Sequence, residues 1–353
     1  MFLLVLTLFS LEPGYHKLRT FAPIPEQGDE YLSGPTCFAF SPEGRLYLVD
    51  ATTSRIHVWN KDTSYLTSFG SAGEGPGESQ FPDRADYKDG VLYVLDQTGR
   101  MSRYDGEGTY LDSFTLLKPR LRNFSVINEN LYLLSTREQV TGTEIYNRIE
   151  LVDKEGNLVK LLQKFRNESF VTPRHGDNVA KVKAFPPSVD LQRGGINSWY
   201  FGFSQNARFF SIDGTGKLIA ETKMQIPTDK CSAEEIKKHD ELALSCTGGV
   251  MVLKNFPTIK IDYTHPKSYY TKFAVQGDRV VFSRTPDGGV FSCEGYPAGE
   301  YVICDLKTGK PLSSGRFDLG EGSLLFFRDE HILAIINSEE RLEVAEIAFG
   351  KKK

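Results

Sequence analysis

Short apolar and aromatic runs recur along the chain, and residues typical of turns separate them. Residues 46–69 contain the runs LYLVD, RIHVWN and SYLTSF, and residues 92–114 contain LYVLD, RMSRYD and TYLDSF. Runs of this length bounded by Gly, Asp, Asn and Ser predict β-strands joined by tight turns. The two segments are therefore copies of one three-stranded unit, 46 residues apart at Asp50 and Asp96.

Four weaker copies of this unit follow. Their second strands are predicted at 131–135, 199–204, 280–283 and 332–337, and their third strands at 148–153, 208–213, 301–305 and 341–347. Pro186 and Pro187 obscure the inner strand of the fourth copy, because proline cannot donate to a strand ladder. The other five copies have candidate inner strands at 37–40, 84–87, 124–127, 270–275 and 323–327.

Six units of four strands predict an all-β, six-bladed β-propeller. Residues 350–353 follow the third strand of the last unit and are too few to form its outer strand. An open sheet edge invites aggregation, so residues 15–21 are predicted to complete blade six and close the ring. The predicted domains are an apolar leader at 1–14, one propeller domain at 15–349 and a basic tail at 350–353.

Two insertions make the spacing uneven. The extra length falls at 163–198 and 223–269, after the outer strands of blades three and four. Both insertions are predicted to lie on the face where the loops between second and third strands emerge, and long loops on a rigid scaffold often bind ligands. Ser232 and Glu235 form a capping box that predicts one short helix in the second insertion.

The loop between the first two blades reads GSAGEGPGESQFP at residues 70–82. Together with the strand ends Val49-Asp50 and Leu95-Asp96, it resembles the NHL-repeat type of six-bladed propeller, and in particular bacterial exported propellers of unassigned function. The match covers residues 36–114, with Ser79-Gln80 inserted before the phenylalanine of the loop. Elsewhere only the hydrophobic pattern agrees with the family.

Local catalytic motifs are scarce in the sequence. The glycine-rich loop precedes strand residues and prolines, which favours a rigid turn over a phosphate-binding loop. Asp50 and Asp96 recur at equivalent strand ends, which favours structural hydrogen bonding over acid–base catalysis. The nearest two of the six histidines are 26 residues apart, so a metal would need ligands from several blades. The sequence identifies no cofactor, and a divalent metal bound in the channel is left as an alternative.

The candidate ligand-binding residues are chosen by their position in the predicted ring. They lie in the two insertions, at the blade-five loop or beside inner strands that line the channel: Arg84, Arg122, His175, His265, Tyr270 and Arg284.

The composition is that of an ordinary globular protein, with 353 residues, 40% hydrophobic residues, 25% charged residues and a net charge of −4. A chain with this charge has no general attraction for polyanions, so a nucleic-acid partner is not expected. Five cysteines without a C-x-x-C motif argue against a zinc ribbon. Cys231 with Cys246, and Cys293 with Cys304, could pair in an exported chain, and five buried thiols are the alternative.

The apolar run at residues 2–11 has the length of a signal core, although no basic residue precedes it and no A-x-A-like site follows. It is too short to span a membrane. The predicted location is the periplasm or the extracellular space, with the cytoplasm as the alternative. The sequence therefore favours a non-catalytic binding or scaffold propeller that recognises a protein or glycan through its loop-rich face. The alternative is a metal-dependent, lactonase-like hydrolase or lyase with its site at the channel mouth.

Overall fold

The structure is a computed structural model, and the following account rests on the residues that it describes. These are residues 15–25, 31–116, 121–141, 144–167, 170–171, 180–183, 189–195, 197–228, 230, 232–233, 236–237, 259–262, 264, 266–284, 298–320, 323–338 and 341–349.

The first half of the ring follows strand β1 (Tyr15–Thr20). Blade one contains β2 (Pro35–Phe40), β3 (Leu46–Asp50), β4 (Arg55–Trp59) and β5 (Tyr65–Phe69). The short strands β6 (Ser71–Ala72) and β7 (Glu78–Ser79) lie in the next connection, before blade two with β8 (Pro82–Lys88), β9 (Val91–Asp96), β10 (Arg100–Asp105) and β11 (Tyr110–Thr115). Blade three contains β12 (Leu121–Asn128), β13 (Leu131–Thr141), β14 (Glu144–Asp153) and β15 (Leu158–Asn167).

The second half of the ring contains both insertions. Strands β16 (Phe170–Val171) and β17 (Ala180–Lys183) precede blade four, which contains β18 (Val189–Arg193), β19 (Ser198–Phe203), β20 (Arg208–Asp213) and β21 (Leu218–Lys223). Strand β22 (Ile259–Asp262) precedes blade five, which contains β23 (Lys272–Gln276), β24 (Arg279–Arg284), β25 (Ala298–Asp305) and β26 (Pro311–Asp318). Blade six contains β27 (Leu324–Arg328), β28 (His331–Ser338) and β29 (Arg341–Phe349).

The predicted all-β, six-bladed propeller is confirmed. Each blade is an antiparallel four-stranded sheet, and the inner strands β2, β8, β12, β18, β23 and β27 contact one another in sequence around a closed ring. The last blade has the order β1-β29-β28-β27, with Tyr15 opposite Phe349 and Thr20 opposite Ala345. The N-terminal strand therefore completes blade six and covers the edge of β29, as the missing outer strand predicted.

Both faces of a blade pack against its neighbours, which explains the unbroken apolar runs in the sequence. Every residue of β3 is buried, and a core cluster between blades one and two joins Tyr47 and Val49 to Ala85 and Val94. The phenol ring of Tyr47 also stacks on that of Tyr87 at 5.3 Å. Five further clusters contain most of the other apolar side chains of the core.

Blade three has longer strands than the apolar pattern predicts. Its second strand continues past Ser135 to Thr141, and its outer strand takes up the beginning of the predicted first insertion, as far as Asn167. Polar cross-strand contacts support this extension: Lys164 lies 2.8 Å from Glu138 across the sheet. An apolar template cannot detect strands that are held by ion pairs.

Two further predictions concern the inner strand of blade four and the short helix of the second insertion. The inner strand of blade four, obscured in the sequence, is β18, which begins two residues after Pro187. Ala233, Ile236 and Lys237 have helical backbone, and the Ile236 amide donates to the Ser232 carbonyl at 3.0 Å. Glu235 and residues 238–242 of the predicted helix lie outside the described residues.

Arg19 connects the N-terminal strand to two blades. Its Nε lies 2.6 Å from Glu346 of β29, and its Nη1 donates to the carbonyls of Gly44 and Lys61 in blade one at 3.3 and 3.4 Å. Burial alone would raise the pKa of Glu346, but the hydrogen bond from His331 and the charge of Arg19 lower it. Glu346 is therefore held as a carboxylate where the first and last blades meet.

We expect Arg19→Ala to lower the free energy of unfolding by about 1–2 kcal/mol, because it leaves the largely buried carboxylate of Glu346 without its arginine partner. The matched control on the same strand is Lys17→Ala. Lys17 pairs with Glu343 at 2.6 Å, but its side chain is 41% exposed, and such pairs contribute at most about 0.5–1 kcal/mol. Urea unfolding measures both variants, and equal losses would contradict the role assigned to Arg19.

Candidate functional site

The inner strand of each blade has one edge that faces the central channel without a strand partner. Polar side chains of the inner strands bind the backbone groups of that edge. Asp86 accepts hydrogen bonds from its neighbour Tyr87 N at 2.9 Å and, across to blade three, from Val126 N at 2.7 Å and Ser125 Oγ at 2.9 Å. Asn123 and Asp190 likewise accept from the amides that follow them, at 2.9 and 3.0 Å. The centre of the ring is therefore a hydrogen-bonded network.

Two arginines carry this network across the channel. Arg328 of blade six donates to the Phe124 carbonyl of blade three through both Nη atoms at 3.2 Å, and its Nη2 lies 3.2 Å from Asp86 of blade two. Arg193 of blade four lies 3.4 Å from Asp86 and 3.0 Å from Asp329. Side chains from four blades thus meet around one carboxylate and bridge the channel.

The ionisation of Asp86 depends on these arginines. The side chain is fully buried, and burial alone would raise its pKa. The guanidinium groups of Arg193 and Arg328 and the hydrogen bonds from blade three outweigh burial and lower the pKa of Asp86. The carboxylate therefore stays charged, and its charge compensates the buried Arg328.

A cavity of about 770 Å³ lies at the mouth of the channel, where the inner strands begin. Its volume lies within the range of about 300–1,000 Å³ that is usual for ligand pockets. Every blade contributes to its lining, which consists of residues 33–38, 51–52, 83–85, 122–123, 190, 272 and 324–328.

The cavity opens on the face that carries the insertions. Because successive strands of a blade alternate in direction, the outer strand of each blade ends on the face where the next inner strand begins. The first insertion leads into β18 and the second into β23, and both of these strands contribute to the cavity lining. The insertions also meet each other, since β17 pairs in parallel with β22. Both insertions therefore start and end on the face of the cavity.

The candidate residues chosen from the sequence occupy different environments. Arg84 and Arg122 line the cavity, and Arg84 contacts both the Arg122 carbonyl at 2.8 Å and Asp83 at 2.6 Å. Tyr270 is fully buried in the core, where its ring lies 4.7 Å from that of Phe282.

Arg284 is not among the described residues that line the cavity. The Nε of Arg284 is bonded to Glu300 at 3.0 Å, and its Nη1 donates to the Pro227 carbonyl at 3.2 Å. His175 and His265 lie outside the described residues, so their role stays a prediction.

Several residues of the site escaped the sequence analysis. Arg328 ends an inner strand whose other four residues are apolar, and that contrast is the signal that could have found it. Asp86 and Asp190 lie in inner strands of mixed composition, PDRADYK and VDLQR, which give no such contrast. Asn123 and Lys272 give no comparable signal, because their place in the site depends on how the blades meet.

Asp50 and Asp96 have the structural role that the repeat favoured. Asp50 is fully buried and accepts hydrogen bonds from the amides of Ser33, Gly34 and Thr53 at 2.6–3.0 Å. Asp96 accepts from the amide of Gln80 at 3.1 Å, from that of Thr98 at 2.9 Å and from that of Arg100 at the start of β10 at 3.1 Å. Each carboxylate therefore ties the end of a second strand to the segment that enters the inner strand.

The glycine-rich segment is an inter-blade turn. Gly73 has a φ of +151°, a backbone conformation that residues with a Cβ rarely adopt, which favours glycine there. Arg100 holds the turn by donating to the Glu74 and Gly75 carbonyls at 2.6 and 2.7 Å. Strand β8 follows the turn, and β8 begins at Pro82.

The possible metal ligands and the thiols can be located only among the described residues. Among them, no three His, Cys, Asp or Glu side chains cluster closely enough to hold a metal ion. Cys37 and Cys304 are free thiols, and burial raises the pKa of Cys37 to about 12 and that of Cys304 to about 11. Cys231, Cys246 and Cys293 lie outside the described residues, as does the apolar run at 2–11. Within the described part of the chain, no helix is long and apolar enough to cross a membrane.

Comparison with known proteins shows the fold. No protein-family profile matches the chain, and no curated protein matches its sequence. A protein from Bacteroides fragilis NCTC 9343, described as a candidate exported protein, is 10% identical with a TM-score of 0.51 over 94% of this chain and 95% of its own. A member of the DUF4221 family from Bacteroides vulgatus ATCC 8482 is 10% identical with a TM-score of 0.52 over 96% of this chain and 98% of its own. The chain is thus similar to these proteins in fold.

We expect Asp86→Asn to lower the free energy of unfolding by about 3–5 kcal/mol at neutral pH, because it leaves buried arginine without its carboxylate. The pKa of Asp86 is lower in the folded than in the unfolded chain, so its stabilisation is present above the unfolded pKa and is lost as pH falls through the folded pKa. The difference between wild type and variant should therefore shrink below about pH 4.

The matched control for this prediction is Asp83→Asn on the same strand. Asp83 pairs with Arg84 at the cavity wall with about a fifth of its side chain exposed, so we expect a loss of about 1 kcal/mol or less. Urea unfolding between pH 2 and 7 measures both variants. Equal losses, or a loss for Asp86→Asn that does not change with pH, would contradict the role of Asp86.

Proposed function

We propose that the chain is a non-catalytic binding propeller that recognises a protein or glycan partner through the face that carries the cavity and both insertions. The observation that carries the proposal is the cavity of about 770 Å³ that all six blades line on that face. A rigid ring presents such a cavity with little loss of conformational freedom on binding, because the wall residues belong to packed strands. The hydrogen-bonded network around Asp86 bridges the channel below the cavity. Three residues of this network, Asn123, Asp190 and Arg328, line the cavity and form its floor.

Two features favour an exported protein of the NHL-repeat type. The loop at residues 70–82 and its flanking strand ends resemble that family, and residues 2–11 resemble a signal core. Propellers from Bacteroides with the same fold, one of them described as a candidate exported protein, are consistent with that location. In this proposal the segment 1–14 is a leader and residues 15–349 are the mature propeller.

Two tryptophan variants on opposite faces test which face binds. Thr52→Trp places a bulky side chain at an exposed position of the cavity wall, whereas Lys217→Trp places the same side chain in the exposed turn between β20 and β21 on the other face. A ligand of the cavity should lose about tenfold or more in affinity with Thr52→Trp and remain unchanged with Lys217→Trp.

The measurement is a thermal-shift screen of the full chain against oligosaccharides, peptides and divalent ions, followed by titration of each ligand that raises the melting temperature. The screen also tests the hydrolase or lyase alternative. A ligand whose affinity falls only with Lys217→Trp would contradict the assignment of the face. A divalent ion bound stoichiometrically at the cavity would favour the metal-dependent enzyme instead.

A further inference from the structure

We propose that the cavity at the channel mouth binds an organic anion, with the acidic group of the ligand at Lys272 of β23 and its apolar body against the neighbouring strand β27. This inference rests on the proposed function and names the chemical class of ligand for the same site.

The charges of the lining favour an anion. The lining contains the basic residues Arg84, Arg122, Lys272 and Arg328 and the acidic residues Asp83 and Asp190, an excess of two positive charges. Arg328 is compensated by Asp86 in the floor, and Arg84 pairs with Asp83. With Arg328 compensated by Asp86, three basic and two acidic residues remain, so the lining retains an excess of one positive charge. A concave site of one sign raises the local concentration of the opposite ion.

Lys272 is a cation of the wall with an accessible charge. It is the first residue of β23, its side chain is exposed, and it lines the cavity. Its side chain makes no hydrogen bond or ion pair with the described residues. The acidic residue of the floor does not compete for it, because Asp190 accepts hydrogen bonds from Asn123, Leu191 and Gln192 at 3.0–3.1 Å. A ligand acid can thus pair with Lys272 without displacing an internal carboxylate.

The wall on blade six is apolar. Four consecutive residues of β27, Leu324 to Phe327, line the cavity, and each is only partly buried. Blade six lies across the ring from blade three, since Arg328 at the end of β27 reaches the Phe124 carbonyl of β12. Arg122 on blade three therefore lies opposite the apolar wall. Lys272 on blade five adjoins the same wall, because β23 contacts β27. A ligand whose acidic group pairs with Lys272 therefore has hydrocarbon directly beside that charge.

Isothermal titration of the full chain with 4-phenylbutyrate, its neutral amide 4-phenylbutyramide and inorganic sulfate tests this pairing of charge and apolar surface. We expect the acid to bind about fivefold or more tightly than the amide, and its binding to weaken as NaCl is raised. We expect sulfate to bind more weakly than the acid, because sulfate has no apolar body to bury.

Lys272→Gln should weaken binding of the acid about fivefold and leave the amide unchanged, whereas Lys217→Gln on the opposite face should change neither. Because both lysines are exposed, both variants should keep the wild-type melting temperature. Equal affinities for acid and amide, no binding of the acid, or an unchanged affinity of Lys272→Gln would overturn the inference. Sulfate binding as tightly as the acid would overturn the part assigned to β27.

These outcomes are separate from those of the proposed function. If a neutral glycan or an uncharged peptide binds and loses affinity with Thr52→Trp, the cavity is the binding site and the proposed function stands. The inference of an anionic ligand would then be wrong. A ligand affected only by Lys217→Trp would overturn both.

Discussion

The free inner edge of each blade is the constraint on which the rest of this structure depends. A ring of sheets leaves its innermost strands with backbone donors and acceptors that point into a narrow channel, and buried groups of this kind need partners. Here the partners are inner-strand side chains, with Asp86 bonded to Tyr87 and Val126. A carboxylate in that position in turn needs cations, which Arg193 and Arg328 provide. The charged network is thus a consequence of closing the ring.

Ring closure also leaves the outer edge of the last blade in need of a strand partner. The chain ends its last blade with β29, whose outer edge would otherwise be open, and β1 pairs along it from Tyr15 to Thr20. Arg19 ties this strand to Glu346 on blade six and to carbonyls of blade one. The first and last segments of the propeller are therefore held together by a strand ladder and by a half-buried ion pair, and unfolding of one exposes the other.

The division of charge between floor and wall links this architecture to the proposed function. Floor residues such as Asp86 and Arg328 compensate one another, so they stabilise the ring and have little free charge for a ligand. Wall residues such as Lys272 lie at the start of inner strands, where the ladder begins and side chains reach solvent. The insertions begin and end on the same face, where the wall residues of the cavity lie.

The repeated pattern of strands allowed the fold to be predicted from the sequence. The two clear copies at 46–69 and 92–114 led to the count of six blades, to the closing strand and to the structural role of Asp50. Other features depended on contacts between distant segments. The extended strands of blade three rest on ion pairs such as Lys164 with Glu138, and Tyr270, chosen as a rim residue, lies in the core because blade five packs it against Phe282. Local pattern determines which strands form, because each blade is a short-range unit. The cavity depends on the tertiary structure, because Arg84, Arg122 and Lys272 come from three blades that only the closed ring brings together.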